Sequence, residues 1–197
     1  MAVNLTKGQK ISLEKESGGG LQKVVMGLGW DMAKSGGGGF LSGMLGGGND
    51  SIDLDASCLL FDAQNALKDT VYFGQLKSKD GSIRHSGDNL TGEGDGDDEQ
   101  ITVDLATMPA WVDTLVFTVS SFRGQSFDKV ANAYCRLVNP SNGQEIARYQ
   151  LSAQGPHTAQ VMTKLYKHNG EWKMAALGDN CSGRTFKDML PAITPSL

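Results

Sequence analysis

Residues 88–99 read Asp-Asn-Leu-Thr-Gly-Glu-Gly-Asp-Gly-Asp-Asp-Glu. The run holds six carboxylates (Asp88, Glu93, Asp95, Asp97, Asp98 and Glu99), three glycines and no basic residue. Two like charges about 5 Å apart repel by roughly 3 kcal/mol at an effective dielectric near 20. Such a segment either stays solvated or folds around a cation, and the interleaving of glycine with acid favours the cation. Glu93, Asp95, Asp97 and Glu99 occupy every second position, and alternate side chains of an extended chain point the same way. Calcium takes six to eight oxygens from carboxylates, carbonyls and water. The run supplies these in surplus, enough for two ions. Zinc and copper favour His or Cys, and the run has neither, so calcium is the first choice and magnesium the second.

The spacing does not match the helix–loop–helix calcium template, because an alternating strand, Ile101-Thr102-Val103-Asp104-Leu105, follows the run. A loop between strands is expected instead. A second acidic pair, Asp53 and Asp55, lies two apart at a strand start, so both project from one face while Leu54 and Ala56 face the core. Asp31 closes Gly27-Leu28-Gly29-Trp30-Asp31 after another strand, where it can cap a turn or reach the same end of the fold.

The elements that must position these acids are strands. Period-two alternation dominates, in Val24/Met26/Leu28/Trp30, Leu54/Ala56/Cys58/Leu60, Ile101/Val103/Leu105, Leu115/Phe117/Val119 and Ala133/Cys135/Leu137. Two hairpins are legible, 134–138 with 145–151 and 161–166 with 172–177, the latter joined through Asn169-Gly170, which favours positive φ. Helix is expected only in short pieces, near Ser126–Ala131 and Arg184–Leu190. The expected fold is all-β: one domain over 1–197, a sandwich of two antiparallel sheets with short peripheral helices. Within 36–48, eight of thirteen residues are glycine, which predicts a flexible insertion between two strands.

Charge and composition narrow the function. The 22 acidic residues, less the six of the run, leave 16 against 18 basic, so one segment accounts for the whole net charge of −4. No basic stripe points to nucleic acid. The N-terminal residues lack the apolar core of a secretory signal, no stretch approaches a membrane span, and the three cysteines show no metal spacing. A cytoplasmic protein is expected. Cys58 and Cys135 lie in phase with core residues and read as inert. Cys181 falls in a loop expected over 178–184, with Arg184 the one neighbour able to lower its pKa.

The glycine-rich turn 27–31, the Asp53-Leu54-Asp55-Ala56-Ser57 segment and Gly87–Glu99 together resemble the TerD family of tellurium-resistance and stress proteins. Gln144–Tyr149, His168–Trp172, the glycine-rich segment before Asp53 and Ser121–Phe127 make the chain most similar to the TerZ branch. The resemblance implies a non-enzymatic, cytoplasmic, calcium-binding β-sandwich. It would work beside other tellurium-resistance and stress proteins, in a membrane-associated complex in one version of that reading. It implies a calcium set of Asp53, Asp55, Asp88, Glu93, Asp95, Asp97, Asp98 and Glu99, with Asn89, Thr91, nearby backbone carbonyls and Asp31 contributing. The competing class is a magnesium-dependent hydrolase using the same carboxylates to activate water. It needs a substrate-orienting base or cation beside the metal, for which Arg84 and His85 are the candidates near in sequence, and His85 reads more simply as a surface histidine at a strand end.

Overall fold

The computed structural model describes residues 2–32, 53–87, 96–151 and 155–197. The expected insertion at 36–48 and the predicted ligands Asp88, Asn89, Thr91, Glu93 and Asp95 lie outside these residues.

The strands are β1 (Val3–Leu5), β2 (Lys10–Ser12), β3 (Lys23–Met32), β4 (Leu54–Phe61), β5 (Leu67–Val71), β6 (Ile83–His85), β7 (Glu99–Asp104), β8 (Thr114–Ser121), β9 (Val130–Asn139), β10 (Gln144–Gln150), β11 (Ala159–His168) and β12 (Glu171–Cys181). They form two six-stranded sheets, in the orders β1-β10-β9-β3-β7-β6 and β2-β12-β11-β8-β4-β5. The alternating residues read from the sequence make the interior. Val24, Met26, Leu28, Trp30, Leu54, Ala56, Cys58, Leu60, Ile101, Val103, Leu115, Phe117, Val119, Ala133, Cys135 and Leu137 are all buried in one core between the sheets. Both legible hairpins form, as β9–β10 and β11–β12. Asn169 and Gly170 take φ of 54° and 80°, the left-handed pair that matches hairpin twist.

Three features depart from the sequence expectation. β1 runs parallel to β10, so the first sheet is not wholly antiparallel. β1 has three residues and leads directly into β2 of the opposite sheet, so that crossing sets its direction rather than a hairpin. A short helix α1 (Leu13–Ser17) escaped notice, being one turn long with no room for a 3.6 period. The predicted loop at 178–184 is strand as far as Cys181, because β12 keeps pairing with Ala159–Val161 across a register shift.

Of the two predicted helices, the first is a single 3-10 turn, Phe127–Lys129, and the second is α2 (Phe186–Ile193). The Asp188 carboxylate accepts the Arg184 and Thr185 backbone N–H groups, at 2.9 and 3.1 Å, which satisfies donors at the α2 N-terminus. Phe186, Met189 and Ile193 pack on Leu59, Phe61, Val116 and Val161, the outer face of the second sheet. β4 and β8 are therefore buried on both faces. Among the described residues no helix is long and apolar enough to cross a membrane.

Candidate functional site

The C-terminal ends of β3 and β6 and the N-terminal ends of β4 and β7 lie at one end of the sandwich. Six of the predicted residues, Asp31, Asp53, Asp55, Asp97, Asp98 and Glu99, lie in these strands or adjoin them. They do not do the same thing.

Glu99, the first residue of β7, is wholly buried. Its Oε2 accepts the Ala56 backbone N–H of the other sheet at 2.7 Å and lies 3.4 Å from His85 Nε2. His85 Nδ1 accepts the Gly87 N–H at 3.1 Å, so its proton sits on Nε2, facing Glu99 and the Ala56 carbonyl at 3.2 Å. His85 is thus a buried connector and not the surface histidine expected. Nothing in the local sequence signalled the buried carboxylate that meets it.

Asp97 turns away from its neighbours. Arg136 of β9 donates to it from Nε at 2.7 Å and from the terminal guanidinium at 3.1 Å, and the Tyr134 hydroxyl donates at 3.3 Å. Two glycines make room. A Cβ on Gly27 would stand 2.1 Å from Asp97 Oδ2, and one on Gly29 would stand 2.5 Å from the Tyr134 ring. Arg136 also reaches Glu145 at 3.2 Å, while Arg148 bonds Glu145 at 2.8 Å and stacks 4.1 Å over Tyr134. Tyr134, Arg136, Glu145 and Arg148 were not anticipated. The glycines at alternate positions 27 and 29 were their signal, since a bare strip on a strand marks the close approach of something large.

Asp98 accepts the Trp30 N–H at 2.8 Å, while its own N–H donates to the Leu28 carbonyl at 2.8 Å. Burial pushes its carboxyl pKa up, and the charges of Asp31, Asp97 and Glu99 push the same way against the Trp30 bond, leaving it above the ordinary range. Asp31 is exposed and accepts from Asn132 at 2.8 Å. Asn132 stands at φ 52° where β9 carries one extra residue against β3, while the unbroken alternation of β3 keeps Trp30 inward and Asp31 outward.

Asp53 and Asp55 share a face, as expected, but that face is not open: they are 5 % and 4 % exposed. Arg123 Nε stands 3.4 Å from Asp53 Oδ2. Asp55 pairs in register with Ser120, whose hydroxyl donates to the Arg184 carbonyl at 3.3 Å, so the segment entering α2 crosses this face.

The family model described as TerD domain matches residues 1–191. The chain belongs to the TerD family. It is 54 % identical over 187 residues to tellurium resistance protein TerZ of Serratia marcescens, spanning 95 % of this chain and 94 % of that protein. It is 43 % identical over 197 residues to stress response protein SCP2 of Bacillus subtilis (strain 168), spanning 96 % and 98 %. The fold matches the crystal structure of a homologue of telluride resistance protein TerD from Streptomyces coelicolor A3(2), with a TM-score of 0.65 at 19 % identity over 83 % of this chain and 92 % of that one. The family is one of tellurium-resistance and stress-response proteins, and the sandwich is its fold.

Among the described residues of this TerD-family chain, no three His, Cys, Asp or Glu side chains form a group able to hold a metal. The donor chemistry at the carboxylate end is nonetheless that of a hard cation. Asp31, Asp53, Asp55 and Asp98 offer oxygen alone. Thiol chemistry has little support. Burial, with Asp69 adding to it, pushes the Cys58 thiol well up. Burial takes Cys135 to about 12, and burial with Asp179 takes Cys181 to about 11. Cys181 is half-buried in β12, and Arg184 does not lower it.

Proposed function

We propose that the protein is a non-enzymatic, cytoplasmic calcium-binding member of its family that serves tellurite and stress resistance by presenting its carboxylate end to partner proteins. The carrying observation is geometric: Asp31, Asp97, Asp98 and Glu99 stand at one end of the fold, the last three belonging to the acidic run, and burial together with the neighbouring charges pushes the Asp98 carboxyl up. It marks excess negative charge at the end of the fold where the acidic run begins. Asp98, Asp53, Asp55 and Asp31 would hold the ion or ions together with Asp88, Asn89, Thr91, Glu93 and Asp95. A bound calcium supplies the positive charge that offsets this repulsion. Asp97 and Glu99 have different parts: Asp97 anchors the loop to β9 through Arg136, and Glu99 ties it to β4.

The hydrolase alternative loses its base, since the His85 side chain is fully buried against Glu99. Calorimetric titration with calcium tests the proposal. Asp98→Asn should weaken binding, and Arg123→Gln, beside Asp53, should alter it less. Wild-type protein that takes up no calcium, or whose melting temperature is the same with and without chelator, would refute it.

A further inference from the structure

The opposite end of the sandwich carries the reverse charge. In the second sheet Lys10, Ala175 and Lys164 stand in one register row, and Ser12, Lys173 and Tyr166 stand two rows on, across the core-facing row Ile11–Met174–Leu165. Paired residues of neighbouring strands project from the same face, so these rows put Lys10, Lys164, Lys173, Ser12 and Tyr166 on the outer face, beyond the area covered by α2. An open groove of about 480 Å³ runs here, lined by Lys10, Ser12, Lys15, Tyr166, His168 and Lys173.

These lysines differ from the ion-paired ones in their company, and from Lys77, Lys167 and Lys187, which also lack an ion pair among the described residues, in being gathered at one groove. Lys7, Lys23, Lys68 and Lys79 each hold a carboxylate, at 2.7, 3.0, 2.9 and 3.8 Å. Lys10, Lys15, Lys164 and Lys173 have no ion pair among the described residues. Lys164 is half-buried, donates to the Ser196 carbonyl and stands 5.0 Å over the Tyr166 ring. Burial and the neighbouring charge of Lys10 push its ammonium pKa down, with Asp113 opposing. Of the nearby acids, Glu16 lines the groove, and Glu171 accepts the Ser12 hydroxyl at 3.4 Å. The excess is positive and concentrated in one concave place. Tyr166 lines the same groove.

We propose that this groove binds a phosphate group, either as free inorganic phosphate or as the headgroup of an anionic lipid. Ammonium groups clustered in a concave groove and outnumbering its carboxylates attract a dianion more strongly than the same lysines would on a convex surface. The site is independent of the calcium reading, because it uses the other end of the fold and none of the same residues.

The test is an NMR titration of the full-length chain with inorganic phosphate, at about 0.15 M salt to screen diffuse attraction and with no added divalent ion. Saturable shifts confined to residues 10–16 and 164–175 are expected. The double substitution Lys10→Gln/Lys173→Gln should weaken binding by about tenfold or more, while Lys23→Gln leaves it unchanged. All these side chains are partly or fully exposed, and an unchanged melting curve confirms that the variants fold. If the double variant does not fold, Lys15→Gln alone must weaken binding. Sedimentation with phosphatidylcholine vesicles containing phosphatidic acid separates the sources. Capture lost in the double variant assigns a headgroup, and phosphate binding without capture assigns the free ion. Shifts spread evenly over Lys23, Lys68 and Lys79 as well, or undiminished phosphate binding by the double variant, overturn the proposal.

Discussion

Glu99 Oε2 accepts the Ala56 backbone N–H at 2.7 Å from the opposite sheet. β5 stops pairing with β4 at Cys58, so this N–H has no strand partner on that side, and a carboxylate from β7 serves instead. A charged acceptor on a buried N–H contributes more than a neutral one, and removing it strands the donor. Glu99→Ala should therefore cost about 3 kcal/mol, and Glu99→Gln less, because the amide oxygen can still accept. Urea denaturation measures both. Equal loss for the two substitutions would show that the charge itself, and not the acceptor, matters.

Gly27 is the space in which Asp97 meets Arg136. Gly27→Ala puts a methyl 2.1 Å from a carboxylate oxygen that a guanidinium holds in place, so Asp97 must leave Arg136. A loss of about 2 kcal/mol is expected. With Asp97→Ala already present, Gly27→Ala should cost far less, a coupling that a double-mutant cycle reads directly. Additive losses would mean that the clash relaxes some other way.

Arg136→Lys tests the fork. The Asp97 side chain is 1 % exposed and takes two donors from one guanidinium, a geometry that a single ammonium cannot reproduce. Arg136→Gln should destabilise by about 3 kcal/mol, since it leaves a buried carboxylate without its cation, and Arg136→Lys should recover only part of that. Thermal and urea melts would show full recovery if simple charge neutralisation were enough.

His157 predicts the acid limb of stability. It is buried, with its ring centroid 4.9 Å from that of Phe127 in a tilted contact. Burial pushes its pKa below 6.5, with Asp128 opposing. The unfolded chain takes up this proton first as pH falls, so His157 disfavours folding only below about 6.5. Stability should fall from pH 6.5 toward the lower folded-state value. His157→Gln should flatten that part of the profile while changing little above pH 7. A variant with the same slope as wild type would remove His157 as the cause.

The thiols should be inert in the native state. With Cys181 at about 11 and Cys135 at about 12, thiolate at pH 8 is about one part in a thousand or less. Aromatic disulfide reagents should therefore label the folded protein slowly and the urea-unfolded protein at once. Fast native labelling at Cys181 would reopen direct thiol chemistry.

What the chain's own pattern determined is local and periodic. Alternation marked the core side of β3, β4, β7, β8 and β9, because a strand's inward face is written at every second residue. Asn169-Gly170 marked a hairpin, because few residues accept two consecutive positive φ angles. The acidic run, with Asp53 and Asp55, marked the candidate end of the molecule. β1, β2, β5 and β6 stayed invisible, being three to five residues long and too short for any period to register.

Only the tertiary structure decided how the acids differ. In the sequence Asp97, Asp98 and Glu99 are three consecutive carboxylates. In the fold the first meets Arg136 from a neighbouring strand, the second collects repulsion at a strand end, and the third crosses to the other sheet. Those partners lie between 39 and 68 positions away, and no local pattern encodes a contact of that range. The lysine groove is of the same kind. Lys10 and Lys164 share a register row through β12, and it is the pairing of distant strands, not their spacing along the chain, that concentrates their charge.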